Sequence, residues 1–304
     1  MSGATPRVAV VGAGLMGPGI AQVFAVAGGE VRVYDADPQA LASLGERVGA
    51  NLAQAGAPVD AAERIKTGES LEDTVAAAEL VIEAVSENLG VKQAVFAELD
   101  RVARPDAVLA SNTSAISISS IAESAGRPDR VVGTHWWNPP QLIPLVEVVP
   151  GNATAPATVA RTVAMLEAVG KTPVRVKRDV PGFVGNRMQH ALWREAIAIV
   201  EAGIAEPEDV DTVVKSSFGL RLAVLGPIEG ADLVGLDLTK AIHDYLLPHL
   251  DARVEAGELV NRRVAEGDLG MKTGRGLRTW TAASAEAVHA RLAEHLRRAV
   301  TRDR

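Results

Sequence analysis

The first part of the chain alternates short apolar runs with longer segments in which apolar residues recur at helical spacing. Strands that alternate with helices favour a mostly parallel sheet covered by helices on both faces. We predict helices at residues 17–27, 91–102, 119–125 and 154–169. We predict strands at residues 7–11, 31–34, 80–83, 107–110, 130–132, 144–149 and 172–176.

The pattern changes at Asp179, after which only helical periodicity remains. We therefore predict an α/β sheet domain at residues 1–178 and a smaller, all-helical domain at residues 179–304. The helices predicted in the second domain cover residues 183–202, 208–216, 231–246 and 284–300.

The helix predicted at residues 183–202 has two apolar stripes about a third of a turn apart. Such a helix is covered on two sides, and in a symmetric homodimer one stripe would face the partner. The stripes consist of Met188, Leu192 and Ile199, and of Trp193, Ile197 and Val200.

Composition narrows the classes of function. The 304 residues include no cysteine, which excludes disulfides, thiolate nucleophiles and cysteine-ligated metals, and we predict no metal site. The net charge of −7 argues against general nucleic-acid binding. No apolar run approaches the ~18 residues that span a bilayer, and no signal-peptide pattern begins the chain, so we expect a cytoplasmic protein without a membrane partner.

A glycine-rich motif follows the first predicted strand. Gly12, Gly14 and Gly17, with Leu15 and Met16 between them, match the fingerprint that binds a dinucleotide at the start of a helix. Asp35 ends the second predicted strand, where a carboxylate binds the adenosine ribose hydroxyls and repels a 2′-phosphate. The sequence therefore predicts a Rossmann-type, doubly wound sheet that binds NAD rather than NADP.

Ligands of such sheets bind at the carboxyl ends of the strands. The segments in these places would therefore line one edge of the sheet; they are residues 12–17, Asp35, residues 84–87, residues 111–114 and His135.

His135 stands at the end of the strand predicted around residues 130–132, and Glu147 interrupts the apolar run at residues 144–149. A buried carboxylate is costly unless a donor or a positive charge meets it. We hypothesise a dyad in which Glu147 orients His135 and the other ring nitrogen takes a proton from substrate. The alternative is a buried structural histidine and a turn-capping glutamate.

Three further segments accompany the glycine motif, namely Asn112-Thr-Ser114, His135-Trp-Trp-Asn-Pro139 and Asp179 to Asn186. In the glycine motif and these segments, the chain resembles the L-3-hydroxyacyl-CoA dehydrogenase family. The resemblance implies hydride transfer between a secondary alcohol and NAD, and a homodimer formed through the helical domain. It implies that His135 is the base and Glu147 its orienting carboxylate. Ser114 would contact the reacting oxygen and Asn186 the substrate carbonyl. Further cofactor contacts would come from Ala84, Glu87, Lys92, Asn138 and Lys272.

Each of these residues has a simpler interpretation. Ser114 and Asn138 could form turns, Asn186 could be a polar group within a helix, Lys92 a solvated charge and Lys272 a loop residue. These roles therefore depend on the resemblance.

The chain departs from the family after Asp35, where relatives that use coenzyme A carry a long, lysine-rich helical extension. Residues 40–58 contain Arg47 as their single cation. The small-molecule substrate is therefore either a 3-hydroxyacyl-CoA or related 3-hydroxy acid, or a small free carboxylate alcohol. A catalytically silent, NAD-binding structural dimer is a third possibility.

Overall fold

The computed structural model describes residues 5–302, with side chains described as far as residue 299, and confirms the predicted fold class. Its strands form one mostly parallel sheet of eight in the order β3-β2-β1-β4-β5-β6-β7-β8. The strands are β1 Val8–Val11, β2 Val31–Tyr34, β3 Ile65–Thr67, β4 Leu80–Glu83, β5 Val108–Ser111, β6 Val131–Trp136, β7 Leu145–Pro150 and β8 Thr172–Arg175.

The parallel pairing brings the carboxyl ends of β2, β1, β4, β5 and β6 to one edge of the sheet. Only the pair of β6 and β7 is antiparallel among the paired strands of the described chain. Its register places His135 directly opposite Glu147. Directly paired residues of an antiparallel ladder project to the same face, so the fold brings these two side chains together.

Alternating residues of the central strands pack into two separate cores, one on each face of the sheet. Val8 and Val10 belong to the core that contains Phe24, whereas Ala9 and Val11 belong to the core that contains Phe96. The covering helices are α1 Gly17–Val26, α2 Pro38–Ala42, α3 Leu44–Ala55, α4 Leu71–Val75, α5 Leu89–Val102, α6 Ile118–Ala122 and α7 Pro156–Ala168.

The chain divides into two compact units, with borders at Arg187/Met188 and Arg291/Leu292. The second unit, residues 188–291, contains no β-strand in the described structure, apart from isolated bridges at Arg275. The remaining helices are α8 Gly185–Glu201, α9 Pro207–Ser216, α10 Pro227–Val234, α11 Leu236–Leu246, α12 Glu258–Ala265 and α13 Ala282–Arg302. The predicted domain boundary after residue 178 stays a prediction.

The structure corrects one predicted helix and adds elements that the sequence pattern did not indicate. The single helix predicted at residues 231–246 is wrong, because Gly235 adopts φ +97° and separates α10 from α11. The three-residue strand β3 and the helices α2, α3, α4 and α12 were not predicted.

None of the described helices has both the length and the apolar character needed to cross a lipid bilayer. The cytoplasmic location stays a prediction.

Candidate active site

The loop between β1 and α1 is shaped by three glycines with different roles. Gly12 has φ +110°, and a Cβ there would lie 2.5 Å from the Ala84 carbonyl oxygen. A Cβ on Gly17 would overlap the Gly12 carbonyl oxygen, whereas one on Gly14 would meet nothing within 4 Å. The loop is therefore tightly packed against the sheet at both ends and open at Gly14. An open backbone at a helix N-terminus fits the pyrophosphate of NAD.

Leu15 is mostly exposed beside Gly14, and Met16 is half-buried immediately before the first turn of α1. Ala84 lies opposite Gly12, and its N–H donates to the Val11 carbonyl oxygen over 2.7 Å. These contacts hold the turn at the carboxyl ends of the two central strands.

Asp35 lies at the end of β2, as its place in the sequence predicts. Its Oδ2 accepts the N–H of Ala13 over 2.6 Å, and its Oδ1 accepts the N–H of Asp37 over 2.8 Å. The carboxylate is thus fixed against the glycine loop, where the adenosine ribose of a dinucleotide binds.

Arg47 on α3 contacts the same loop. Its guanidinium donates to the carbonyl oxygens of Ala13, Gly14 and Ala40 over 2.5, 3.0 and 2.7 Å. The single cation of residues 40–58 is therefore bound to backbone of the glycine loop and α2. A carbonyl cage of this kind satisfies most of the guanidinium donors.

His135 and Glu147 are both buried, and His135 Nδ1 lies 2.7 Å from Glu147 Oε2. The other carboxylate oxygen accepts the backbone N–H groups of Val184 and Gly185 over 2.9 and 3.0 Å. Burial raises the pKa of Glu147, but the hydrogen bonds from His135, Gly185 and Val184 outweigh it, so the pKa lies below its ordinary value. The carboxylate is therefore ionised at neutral pH.

Two aromatic rings enclose the imidazole of His135. The Trp137 ring centroid lies 5.1 Å from that of His135, and the Phe183 centroid lies 5.7 Å from it. Phe183 adopts φ +49°, a conformation that is uncommon for a residue with a side chain. A Cβ on Gly185 would overlap Trp137 Cζ2, so the bulky tryptophan is accommodated by the absence of a side chain at position 185.

Ser114 and Asn186 lie close together at the same edge of the sheet. Asn186 Nδ2 donates to the Ser114 carbonyl oxygen over 3.0 Å. The Ser114 N–H donates to Glu87 Oε1 over 2.9 Å, and Thr113 donates its hydroxyl to the same oxygen over 2.6 Å. Asn186 therefore connects the start of α8 to the loop after β5.

Burial raises the pKa of Glu87. The Thr113 hydroxyl, the charge of Lys92 and the N–H groups of Ser114 and Ala115 together lower it by more, so the pKa of Glu87 lies below its ordinary value.

Lys92 is fully buried, so the alternative of a solvated charge is wrong. Its Nζ lies 2.8 Å from Glu83 and 3.4 Å from Glu87. Asn138 is exposed in the loop after β6. Lys272 lies in a short turn of the second unit, Met271–Thr273, and its contact with the cofactor stays a prediction.

Sequence reasoning assigned no individual contact to three polar groups here, although Asn112 lies in the segment 111–114 that was predicted to line this edge. Glu83 forms an ion pair with Lys92. Asn112 Oδ1 accepts the Trp136 N–H over 3.0 Å. Asp179 Oδ2 accepts the hydroxyl groups of Ser117 and Ser119. Glu83 was detectable, because it ends an apolar run just as Glu147 interrupts one. Asn112 and Asp179 carry no such signal, since polar residues are common in loops.

Residues 7–180 match the 3-hydroxyacyl-CoA dehydrogenase NAD binding domain, and residues 182–280 match the C-terminal domain of the same family. The chain belongs to the 3-hydroxyacyl-CoA dehydrogenase family. It is therefore an NAD-dependent oxidoreductase that acts on CH–OH groups.

Relatives within the 3-hydroxyacyl-CoA dehydrogenase family carry different substrate names. The chain is 37% identical to a 5-formyl-3-hydroxy-2-methylpyridine 4-carboxylate 5-dehydrogenase of Mesorhizobium japonicum, over 95% of this chain and 96% of the relative. It is 41% identical to a 3-hydroxybutyryl-CoA dehydrogenase of Mycobacterium tuberculosis, over 92% of this chain and all of the relative. A crystal structure of the pyridine carboxylate enzyme, described as an NAD+ dependent dismutase, matches 96% of both chains with a TM-score of 0.90 and 36% identity.

Proposed function

We propose that this family member oxidises the secondary alcohol of a small, free hydroxy carboxylate, with His135 as the base. The observation that carries the substrate class is the bonding of Arg47. The 3′-phosphate and pyrophosphate of coenzyme A are normally met by several cations or free N–H groups. Residues 40–58 offer one guanidinium, which already donates to four backbone carbonyl oxygens, the fourth being that of Ser43.

The proposed chemistry follows from the dyad geometry. Glu147 bonds to Nδ1 of His135, which leaves Nε2 as the ring nitrogen that accepts the substrate hydroxyl proton. The ionised Glu147 stabilises the imidazolium that forms. The Ser114 hydroxyl binds the reacting oxygen, and Asn186 binds the substrate carboxylate. NAD, when bound, supplies the hydride acceptor.

The proposed cofactor site is made by the glycine loop and the strand ends beside it. The backbone of residues 12–17 binds the pyrophosphate, and Asp35 binds the adenosine ribose. On the nicotinamide side, the proposed contacts are Ala84, Glu87, Lys92, Asn138 and Lys272.

A 3-hydroxyacyl-CoA, of the 3-hydroxybutyryl-CoA type, is the second candidate substrate. It is favoured by the 41% identity to the 3-hydroxybutyryl-CoA dehydrogenase over nearly the whole chain. This candidate requires cations outside residues 40–58 for the nucleotide of coenzyme A.

The two candidates are separated by steady-state kinetics of NADH formation. We would compare 3-hydroxybutyryl-CoA with free substrates of the gulonate, carnitine and pyridine carboxylate types. The first candidate predicts a higher kcat/KM for one of the free carboxylates and weak, salt-sensitive use of the thioester. Low-micromolar saturation by 3-hydroxybutyryl-CoA, with no activity on any free carboxylate, would decide for the second candidate.

We further propose that the protein is a homodimer through its helical unit. Helices α8, α9, α10 and α11 contain no buried residue. Large apolar side chains on and between these helices are exposed, among them Val224 at 88% and Ile228 at 76%. Monomeric proteins rarely expose so many large apolar groups together. Sedimentation equilibrium tests the proposal directly, and a monomer mass at micromolar concentration would contradict it.

A further inference from the structure

Two carboxylates and one lysine form a partly buried cluster at the carboxyl ends of β4 and β5. Glu83 is the last residue of β4 and is fully buried, as is Lys92 on α5. Glu87 follows β4 in the loop before α5, and its side chain is 42% exposed. We refer to Glu83, Glu87 and Lys92 as the β4 cluster.

Every polar contact of Glu83 comes from a donor. Its Oε1 accepts Lys92 Nζ over 2.8 Å and the Val85 N–H over 2.7 Å. Its Oε2 accepts the Ser111 hydroxyl over 2.6 Å. The ammonium group and the backbone N–H at Oε1 can only donate, so these contacts favour the carboxylate form of Glu83.

Glu87 is also surrounded by donors. Its Oε1 accepts the Thr113 hydroxyl and the N–H groups of Ser114 and Ala115 over 2.6, 2.9 and 3.1 Å. Its Oε2 lies 3.4 Å from Lys92 Nζ. Both carboxylates are therefore ionised and share one ammonium group.

The β4 cluster thus carries one unbalanced negative charge. In the ion pairs of residues 5–302, Lys92 is the one cation that Glu83 and Glu87 have between them. An unbalanced charge in a partly buried place is stabilised when another positive group approaches it. The arrangement therefore favours a ligand that brings positive charge to this edge of the sheet.

The topology indicates which part of the cofactor lies there. A dinucleotide crosses the carboxyl edge of a doubly wound sheet at the switch point, with its pyrophosphate on the glycine loop. Asp35 on β2 marks the adenosine side of β1, and β4 pairs with β1 on the other side. The nicotinamide half of a bound dinucleotide would therefore extend over β4 and β5, toward the β4 cluster.

We propose that Glu83 gives the β4 cluster its net negative charge and thereby favours the oxidised, positively charged nicotinamide ring over the reduced, neutral ring. Glu83 acts here without contacting the ring; it is a positioning residue that holds Lys92 and sets the local charge. The inference rests on the cofactor site proposed above. Its consequence is tighter binding of NAD+ relative to NADH, which promotes release of the reduced cofactor after oxidation.

The test is the ratio of the dissociation constants for NADH and NAD+, measured with the purified protein by fluorescence titration and by calorimetry. In Glu83→Gln, loss of one charge should lower this ratio by roughly tenfold, equivalent to about 1.4 kcal/mol. Glu83→Asp keeps the charge, and Ser111→Ala removes a hydrogen bond to Glu83 without changing charge. Both control variants should keep the wild-type ratio within about twofold.

Two further variants keep the test decisive if Glu83→Gln does not fold. Glu87→Gln, at a half-exposed position, should lower the ratio in the same direction, whereas Lys92→Met should raise it. An unchanged ratio in a folded Glu83→Gln or Glu87→Gln protein would overturn the inference. An equal change in Ser111→Ala would do so too, because it would assign the effect to packing. Failure of the wild-type protein to bind either form of the cofactor would instead contradict the proposed cofactor site.

Discussion

The Glu147 carboxylate is held from two directions, by the His135 imidazole and by two backbone N–H groups. We expect His135→Gln to lower kcat by roughly 10²–10⁴-fold, the usual effect of losing an acid-base group. Glu147→Gln should lower it as well, because a neutral amide does not stabilise the imidazolium and turns its NH2 group toward Nδ1. Stopped-flow turnover and NAD titration together check this, and NAD affinity should not change. An unaltered rate in His135→Gln would place the base elsewhere.

The Asp35 carboxylate sets the expected choice between NAD and NADP. Asp35→Asn keeps an oxygen that can accept the Ala13 N–H but removes the charge that repels a 2′-phosphate. We expect the wild-type protein to bind NAD much more tightly than NADP, and Asp35→Asn to narrow the difference by at least roughly tenfold. Titration with both cofactors measures this. Equal wild-type affinities would refute the assignment of Asp35.

The Arg47 guanidinium connects α3 to the glycine loop through Ala13 and Gly14. Arg47→Ala should therefore raise the KM for NAD by about tenfold or more, because the loop loses its support. The KM for the carbon substrate should change little, whether or not that substrate carries coenzyme A. Glu46→Gln, at the exposed neighbouring position, is the matched control. An effect of Arg47→Ala confined to acyl-CoA would show that Arg47 binds the nucleotide of that substrate instead.

Charged residues within apolar runs were the most informative single positions. Glu147 was singled out because a buried carboxylate requires a partner, and the register of β6 and β7 supplies His135. Glu83 has the same signal, but a strand-end carboxylate could equally face solvent. The partners of Arg47 could not be predicted, because every residue has a backbone carbonyl oxygen and the sequence does not indicate which of them will bind a side chain. The backbone N–H groups of Val184 and Gly185, which donate to Glu147, could not be predicted for the same reason.

The start of α8 contributes directly to the environment of the dyad. Gly185 donates its N–H to Glu147 and packs against Trp137 with no room for a Cβ. Gly185→Ala should force Trp137 or the helix start to move, at a cost of about 1–3 kcal/mol. We expect kcat to fall by roughly tenfold, with NAD affinity preserved, because the displaced carboxylate no longer orients His135.

Trp137→Phe introduces a smaller ring. Combined with Gly185→Ala, it should therefore recover much of the lost kcat. Kinetics of the single and double variants form a complete cycle. Additive losses in the cycle would mean that the two positions act independently and that their packing has no role in turnover.

Most of the buried strands were predicted, whereas β3, the short helix α4 and the twelve-residue helix α3 were not. The buried strands β1, β4 and β7 and helices α5 and α7 have clear patterns because their burial is extensive. Strand β3 spans three residues, Ile65–Thr67, and is partly exposed, so it lacks a period. The break between α10 and α11 at Gly235 was not predicted, because the helical spacing of apolar residues continues across it. Only the positive φ of the glycine reveals the turn.

The two compact units differ in where their apolar side chains lie. The sheet unit has a core on each face of its sheet, whereas Leu259 is the one buried hydrophobic residue among the described residues 188–291. Burial this sparse is what the proposed homodimer would explain, because a second subunit would cover the exposed apolar side chains. This difference could not be read from the sequence, since apolar stripes look alike whether a core or a second subunit covers them.

Association of this kind makes stability depend on protein concentration. If the helical unit is covered in a homodimer, mass action favours the folded state as the concentration rises. We expect the thermal midpoint, measured by calorimetry, to increase over a hundredfold concentration range. Ile228→Glu places a charge among the exposed apolar side chains of α10, so it should lower the midpoint and abolish the concentration dependence. Glu63→Lys, at an exposed position of the sheet unit, should leave both unchanged. A midpoint independent of concentration in the wild-type protein would contradict the homodimer.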